Sequence, residues 1–158
     1  MVIRIIGGEF KGRRLTEPSN HKIRPTTDRN RESIFNILAH NLDIDFDGIT
    51  VLDLYSGTGA LGFEAMSRGA KRTVFVDNQI SAIKCIKSNG DRIKKSNFIT
   101  VYHKDASSLP PRTHNDEPAA LAFLDPPYWK DLITPTLITL EKGDWLKVGA
   151  VVVVETAT

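Results

Sequence analysis

The stretch Ile49-Thr50-Val51-Leu52-Asp53-Leu54-Tyr55-Ser56-Gly57-Thr58-Gly59-Ala60-Leu61-Gly62 passes from a short apolar run through glycines into a helix-forming segment. An apolar run of this length reads as a buried strand, and the residues after Gly59 read as a helix ending at Gly69. Gly57 and Gly59 lack a Cβ, so a ligand can approach the backbone there, and the first turn of the helix presents free N–H groups. Taken literally, Gly57-x-Gly59-x-x-Gly62 is also a dinucleotide fingerprint, with Asp77 standing 20 residues beyond Gly57 at the end of the next apolar run.

Downstream, strand and helix patterns alternate. Residues 73–77 read as a second strand, 81–94 as a helix, 98–103 as a third strand and 121–124 as a fourth, after a loop over 110–118 rich in Pro, Asn and Asp. A helix over 132–141 leads to a fifth strand over 150–155. Continuous apolar strands alternating with helices predict a doubly wound α/β fold, a mainly parallel sheet covered on both faces.

Upstream, residues 2–6 and 13–15 flank a glycine-rich stretch and predict a β-hairpin. A polar segment over 17–27 follows, and Thr27 or Asp28 can cap a helix ending near Asn41. Its residues Ile34, Phe35, Ile37 and Leu38 would bury one face and leave Arg29 and Arg31 in water. From Met1 to Arg31 there are eight basic residues against three acidic ones, net +5, while the remainder carries thirteen against sixteen, net −3. Positive charge concentrated at one end suits a phosphate-contacting arm, and Arg4, Lys11, Arg13, Arg14, Arg24, Arg29 and Arg31 are the candidate contacts as a group.

One acid separates the possible cofactors. A carboxylate at Asp53, just before the glycines, would repel a pyrophosphate but suits a ligand carrying an ammonium group and a sulfonium, which favours S-adenosylmethionine over NAD. Asp77 at a strand end can accept hydrogen bonds from ribose hydroxyls, and Asp105-Ala106 after the third strand offers a carboxylate near the adenine end of the same crevice. The second informative string is Asp125-Pro126-Pro127-Tyr128, directly after the fourth strand. Two prolines stop the ladder and fix the backbone, so the Asp125 carboxylate and Pro126 carbonyl could each accept a hydrogen from an exocyclic amino group while Tyr128 stacks on its ring. His103 and His114 have no neighbours that argue for a catalytic role.

The chain has 158 residues and one cysteine, Cys85, with no Cys or His at metal-ligand spacing. One domain is expected over 1–158, with a basic extension over 1–41 and a cofactor-binding core over 49–158. No signal peptide or membrane-spanning run is visible, and a monomer in a reducing cytoplasm, without metal, is the expectation.

The strings Ile5-Ile6-Gly7-Gly8-x-Phe10-Lys11-Gly12-Arg13-Arg14-Leu15 and Arg24-Pro25-Thr26-Thr27-Asp28-Arg29-x-Arg31-Glu32-Ser33-Ile34-Phe35-Asn36-Ile37-Leu38 resemble the opening of bacterial 16S ribosomal RNA guanine-N2 methyltransferases. The resemblance continues through the glycine loop to Ala70 and into Leu124-Asp125-Pro126-Pro127-Tyr128, covering nearly the whole chain. It implies a class I, S-adenosylmethionine-dependent fold. It also implies a cofactor held by Asp53, Tyr55, Ser56, Gly57, Thr58, Gly59, Asp77, Asn78, Asp105 and Ala106, and a guanine of 16S ribosomal RNA, free or in a small-subunit assembly, held by Asp125 to Tyr128. Asp77 stands where the family usually carries Glu, and the last two of the usual seven strands are missing after the fifth, which would be left as an edge. Rival readings are a DNA adenine-N6 or cytosine-N4 methyltransferase acting on a flipped base, a protein glutamine methyltransferase, an NAD-dependent oxidoreductase and a non-catalytic RNA-binding module. The nucleic-acid and protein methyltransferase rivals leave the basic N-terminal strings unexplained, the oxidoreductase leaves Asp125 to Tyr128 unexplained, and loss of Asp53 or Asp125 would have favoured the binding module.

Overall fold

The computed structural model describes residues 3–18, 26–127 and 130–155. A small antiparallel hairpin of β1 (Ile3–Arg4) and β2 (Arg14–Leu15) precedes helix α1 (Asp28–Asn36), which runs on into a π-helical turn over Ile37–Asn41. The alternating part then gives β3 (Thr50–Leu54), α2 (Ala60–Ser67), β4 (Arg72–Asp77), α3 (Ile80–Arg92), β5 (Ile99–His103), β6 (Ala119–Leu124), α4 (Ile133–Lys142) and β7 (Leu146–Val154). The five long strands form one sheet in the order β5-β4-β3-β6-β7, and every pairing is parallel.

The strand order places the site. From β3 the chain winds outward through β4 to β5, then returns to the other side of β3 for β6 and β7. The winding therefore reverses between β3 and β6, and in such sheets the crevice for a ligand opens at the carboxyl ends of the strands flanking that reversal. Asp53 and the glycine loop end β3; Asp125 follows β6 directly.

Two apolar clusters cover the sheet. On one face, Phe35 of α1, Leu38 of the π turn, Leu61, Phe63 and Met66 of α2 and Ile86 of α3 pack with Val51, Phe75, Leu121 and Phe123, and the hairpin adds Ile3, Ile5, Phe10 and Leu15 to the same cluster. The N-terminal extension thus shares the core of the sheet rather than standing apart. On the other face lie Leu140 of α4, Trp145, Ala106 and Leu109 against Leu52, Leu54, Val74, Val76 and Leu124. Every residue of α2 is buried, so that helix has no wet stripe, whereas α3 is amphipathic, burying Ala82, Ile83, Cys85, Ile86 and Asn89.

Three expectations change here. Ile37 is 52% exposed rather than buried, because the helix widens into the π turn and rotates it off the apolar face. The last strand begins at Leu146, earlier than its apolar run, because Ala119 pairs with Leu146 and a register shift absorbs the residues before Val151. Arg31, expected in water and among the phosphate contacts, is 1% exposed.

Candidate active site

The glycine loop owes its shape to three left-handed residues. Tyr55 (φ 58°), Gly57 (φ 56°) and Gly59 (φ 80°) turn the chain from β3 into α2. A side chain at Gly59 would be strained by its backbone and its Cβ would stand 2.8 Å from the Phe63 ring. Gly62 serves packing: a Cβ there would lie 2.4 Å from Phe75, so its absence lets α2 settle on β4. The side chains of the loop are mostly tied inward. Ser56 Oγ donates to the carbonyls of Asp53 and Val76 and accepts from the Val76 N–H at 3.0 Å, clamping the end of β3 to β4. Thr58 Oγ1 accepts from the Ala60 N–H at 3.2 Å, and the Tyr55 hydroxyl pairs with Thr136 Oγ1 at 2.7 Å. What the loop offers a ligand is therefore backbone and space.

Four buried or half-buried carboxylates among the described residues stand at the carboxyl edge of the sheet. Asp53, 2% exposed, accepts from the Gly62 N–H at 3.0 Å through Oδ2. Burial pushes its carboxyl well above the usual range; the Gly62 N–H opposes this, and the charges of Asp125, Asp77 and Glu155 add to it. Asp77 accepts from the Gly57 N–H and from the Gln79 N–H, both at 2.9 Å. Asp125, half-buried after β6, is pushed up to about 6 by burial. Glu155, at the end of β7, is pushed up to about 7 by burial and by the charge of Asp125. The Glu155 N–H donates to the Leu124 carbonyl at 2.9 Å, which sets this residue beside the start of the Asp125 string, and its buried Oε1 has no hydrogen-bond partner among the described residues.

The sequence reading passed over Glu155 as the end of a strand; its signal was only that it ends the strand paired to β6. Pro126 is buried and Pro127 half-buried, while Tyr128 and Arg24 lie outside the described residues. Asp105 is exposed and caps the following turn, its Oδ1 accepting from the Ser107 N–H at 2.9 Å and the Ser107 hydroxyl at 2.7 Å. Ala106 is buried below it, and Asn78 is exposed with its carbonyl 3.0 Å from His103 Nε2.

A second polar constellation explains Arg31. Glu64 of α2, fully buried, accepts from the Ile6 N–H and the Gly7 N–H, both at 2.9 Å, and pairs with Arg31 Nε at 3.3 Å and Arg68 Nε at 3.0 Å. Arg31 also donates to the carbonyls of Arg4 and Thr26 and to Asp28. It is a bolt between α1, the hairpin and α2, and at 1% exposure it leaves the set of phosphate contacts. Arg4, Lys11, Arg13, Arg14 and Arg29 are exposed.

The chain is similar throughout its length to known proteins. The family model described as "Conserved hypothetical protein 95" matches residues 3–158. "Ribosomal RNA small subunit methyltransferase D" of Escherichia coli (strain K12) is 36% identical over 153 residues, covering 97% of this chain and 74% of the relative. The solved structure of yhhF from Escherichia coli is 34% identical with a TM-score of 0.85, covering 100% of this chain and 82% of that one. A SAM-dependent methyltransferase from Geobacter sulfurreducens, solved with S-adenosyl-L-homocysteine, shares the fold at 21% identity and a TM-score of 0.64, over 86% of this chain and 51% of its own. With its hairpin, its parallel sheet and its full-length match, the chain belongs to the Conserved hypothetical protein 95 family and is a relative of ribosomal RNA small subunit methyltransferase D.

Proposed function

We propose that this protein transfers the methyl group of S-adenosylmethionine to the exocyclic N2 of a guanine in small-subunit ribosomal RNA, in the cytoplasm. The observation that carries the reading is the convergence of Asp53, Asp125 and Glu155, each pushed upward by burial, on the carboxyl edge where the glycine loop leaves room for a ligand. Buried carboxylates gathered this closely, with the charge of Asp125 raising both Asp53 and Glu155, suit a ligand with positive charge and oppose a pyrophosphate, which argues against a dinucleotide despite the glycine pattern. S-adenosylmethionine, which supplies an electrophilic methyl on a sulfonium, fits this crevice. Asp53 and the loop backbone would hold its amino-acid end, Asp77 its ribose, and Asp105 with Ala106 the side toward the adenine.

For the acceptor, Asp125 and the Pro126 carbonyl supply the two acceptors an amino group needs, on a backbone fixed by Pro126 and Pro127. Holding both hydrogens turns the nitrogen lone pair toward the methyl. A carboxyl at about 6 also takes a proton from the methylated nitrogen more readily than an ordinary aspartate, so Asp125 can orient the amino group and then receive its proton. Tyr128 would stack on the base. The exposed cations of the hairpin and α1, Arg4, Lys11, Arg13, Arg14 and Arg29, together with Arg24, would contact phosphates.

Methyl transfer from radiolabelled S-adenosylmethionine to 16S ribosomal RNA, free and in small-subunit particles, followed by nucleoside analysis, tests the reading. N2-methylguanosine is expected. N6-methyladenosine or N4-methylcytosine would overturn the base assignment, and calorimetric binding of NAD in place of S-adenosylhomocysteine would overturn the cofactor.

A further inference from the structure

Helix α3 starts three residues beyond Asp77 at the carboxyl edge of the sheet and turns its exposed side away from the core. That side carries Lys84, Lys87 and Arg92, and Lys94 and Lys95 follow at the helix end. Among the described residues none of these five forms an ion pair. The one acid within α3, Asp91, accepts a hydrogen bond from the Ser96 hydroxyl.

Cations at a helix C-terminus are ordinarily explained by its dipole, and that accounts for Arg92, Lys94 and Lys95. It does not account for Lys84 and Lys87, a like-charged pair three residues apart in the body of the helix, which weakens the helix rather than supporting it. The hairpin is seated on the far end of the same surface. Arg13 Nη2 donates to the Arg92 carbonyl at 2.8 Å, and Lys95 Nζ lies 5.6 Å from the Phe10 ring centroid and 4.8 Å from that of Phe98. Exposed Lys11, Arg13 and Arg14 therefore adjoin the end of α3, and from there the unpaired cations run back along the helix toward the crevice. Lys84 and Arg92 alone are separated by about 12 Å along the helix axis.

We propose that the exposed face of α3, through Lys84, Lys87, Arg92, Lys94 and Lys95, is a track for the RNA backbone that continues the hairpin's basic surface to the edge of the crevice. Charge complementarity commits the surface to a polyanion, and its continuity with the hairpin makes that polyanion the RNA substrate; the inference rests on the function proposed above. Long, unpaired lysines suit sequence-independent phosphate contacts, because a point charge on a flexible stem follows a backbone without demanding one geometry.

The test uses the full chain with a 16S ribosomal RNA transcript. Filter binding is measured across a salt series for the parent protein, for Lys84→Ala/Lys87→Ala/Lys94→Ala, and for Lys142→Ala/Lys147→Ala, which removes two exposed cations remote from this face. The α3 variant is expected to bind at least ~10-fold more weakly and to flatten the logarithmic salt slope by about two to three, while the remote variant loses far less. Affinity for S-adenosylhomocysteine and the melting temperature should not move, which separates lost phosphate contacts from lost fold. Parent-like binding and slope in the α3 variant would overturn the track, as would an equal loss in the remote variant. If the parent itself neither bound nor methylated the RNA, the proposed function would fail instead.

Discussion

At the scale of single residues, the carboxyls around the crevice dictate a pH dependence. Asp125 at about 6 and Glu155 at about 7 hold their protons more tightly in the folded chain than in an unfolded one, where carboxyls titrate at 3.8 and 4.5. Folding of the ligand-free protein therefore takes up protons, and the stability tied to these groups is fully present only at low pH and is lost as pH rises through about 6 and 7. Glu155→Gln should remove part of that decline. Melting temperatures recorded without ligand from about pH 5 to 8 should fall less steeply in the variant, and parallel profiles would refute the assignment. A cationic ligand reverses the preference, because it stabilises the ionised carboxylates, so affinity for S-adenosylmethionine should rise through the same window. The role of Asp125 is tested by Asp125→Ala: turnover should drop by about 10²-fold or more while S-adenosylhomocysteine still binds, since the proposed function sets this carboxylate against the acceptor amine rather than the cofactor. A matching loss of cofactor affinity would place Asp125 on the wrong partner.

Among the elements, α2 joins the two ends of the molecule's chemistry, since its first residue follows the glycine loop and its middle holds Glu64. Replacing Glu64 with Ala would leave buried Arg31 with only the half-exposed Asp28 as a counter-charge and leave the Ile6 and Gly7 N–H groups without their acceptor. Breaking a buried pair in this way costs about 3–5 kcal/mol, and melting temperature should fall by roughly 6–20 °C. A fall of a degree or two would mean that the arginines find other partners. This network shows where a sequence stops being legible. The five strands, the helices between them and the position of both ligand-facing strings follow from apolar periodicity and from glycine and proline placement, which are local signals. Arg31 was read by helical spacing as a wet residue, but its environment is set by Glu64, 33 residues away, and nothing local encodes that partner. Glu155 was missed for the same reason, since it becomes a site residue only through the pairing of β7 with β6. Ser56 and Asp105 fall in the loops the sequence pointed to, yet their side chains serve the backbone, as a clamp and a cap.

Taken as a whole, the protein separates its charges. Its net charge is only +2, but most of the described exposed cations lie on the hairpin, along α3 and just beyond its end, while Asp53, Asp77, Asp125 and Glu155 stand at the carboxyl edge. Under the proposed function, an RNA phosphate favours the first surface over the second, so the backbone would stay on the basic side while the neutral base alone enters the crevice. That arrangement favours a guanine that can leave its stack, as in a loop or at an unpaired end. It also predicts that the basic arm and the crevice fail independently. In Lys11→Ala/Arg14→Ala/Arg29→Ala, three exposed cations are lost from positions that, among the described residues, form no hydrogen bond or ion pair with the glycine loop or with Asp125 to Pro127. KM for RNA should rise about 10-fold or more, and the salt slope should flatten by about two to three, while kcat at saturating RNA and affinity for S-adenosylhomocysteine stay within about twofold of the parent. A collapse of kcat with KM unchanged would mean that these cations act on the reaction itself, and that the charge separation is not what divides holding the RNA from methylating it.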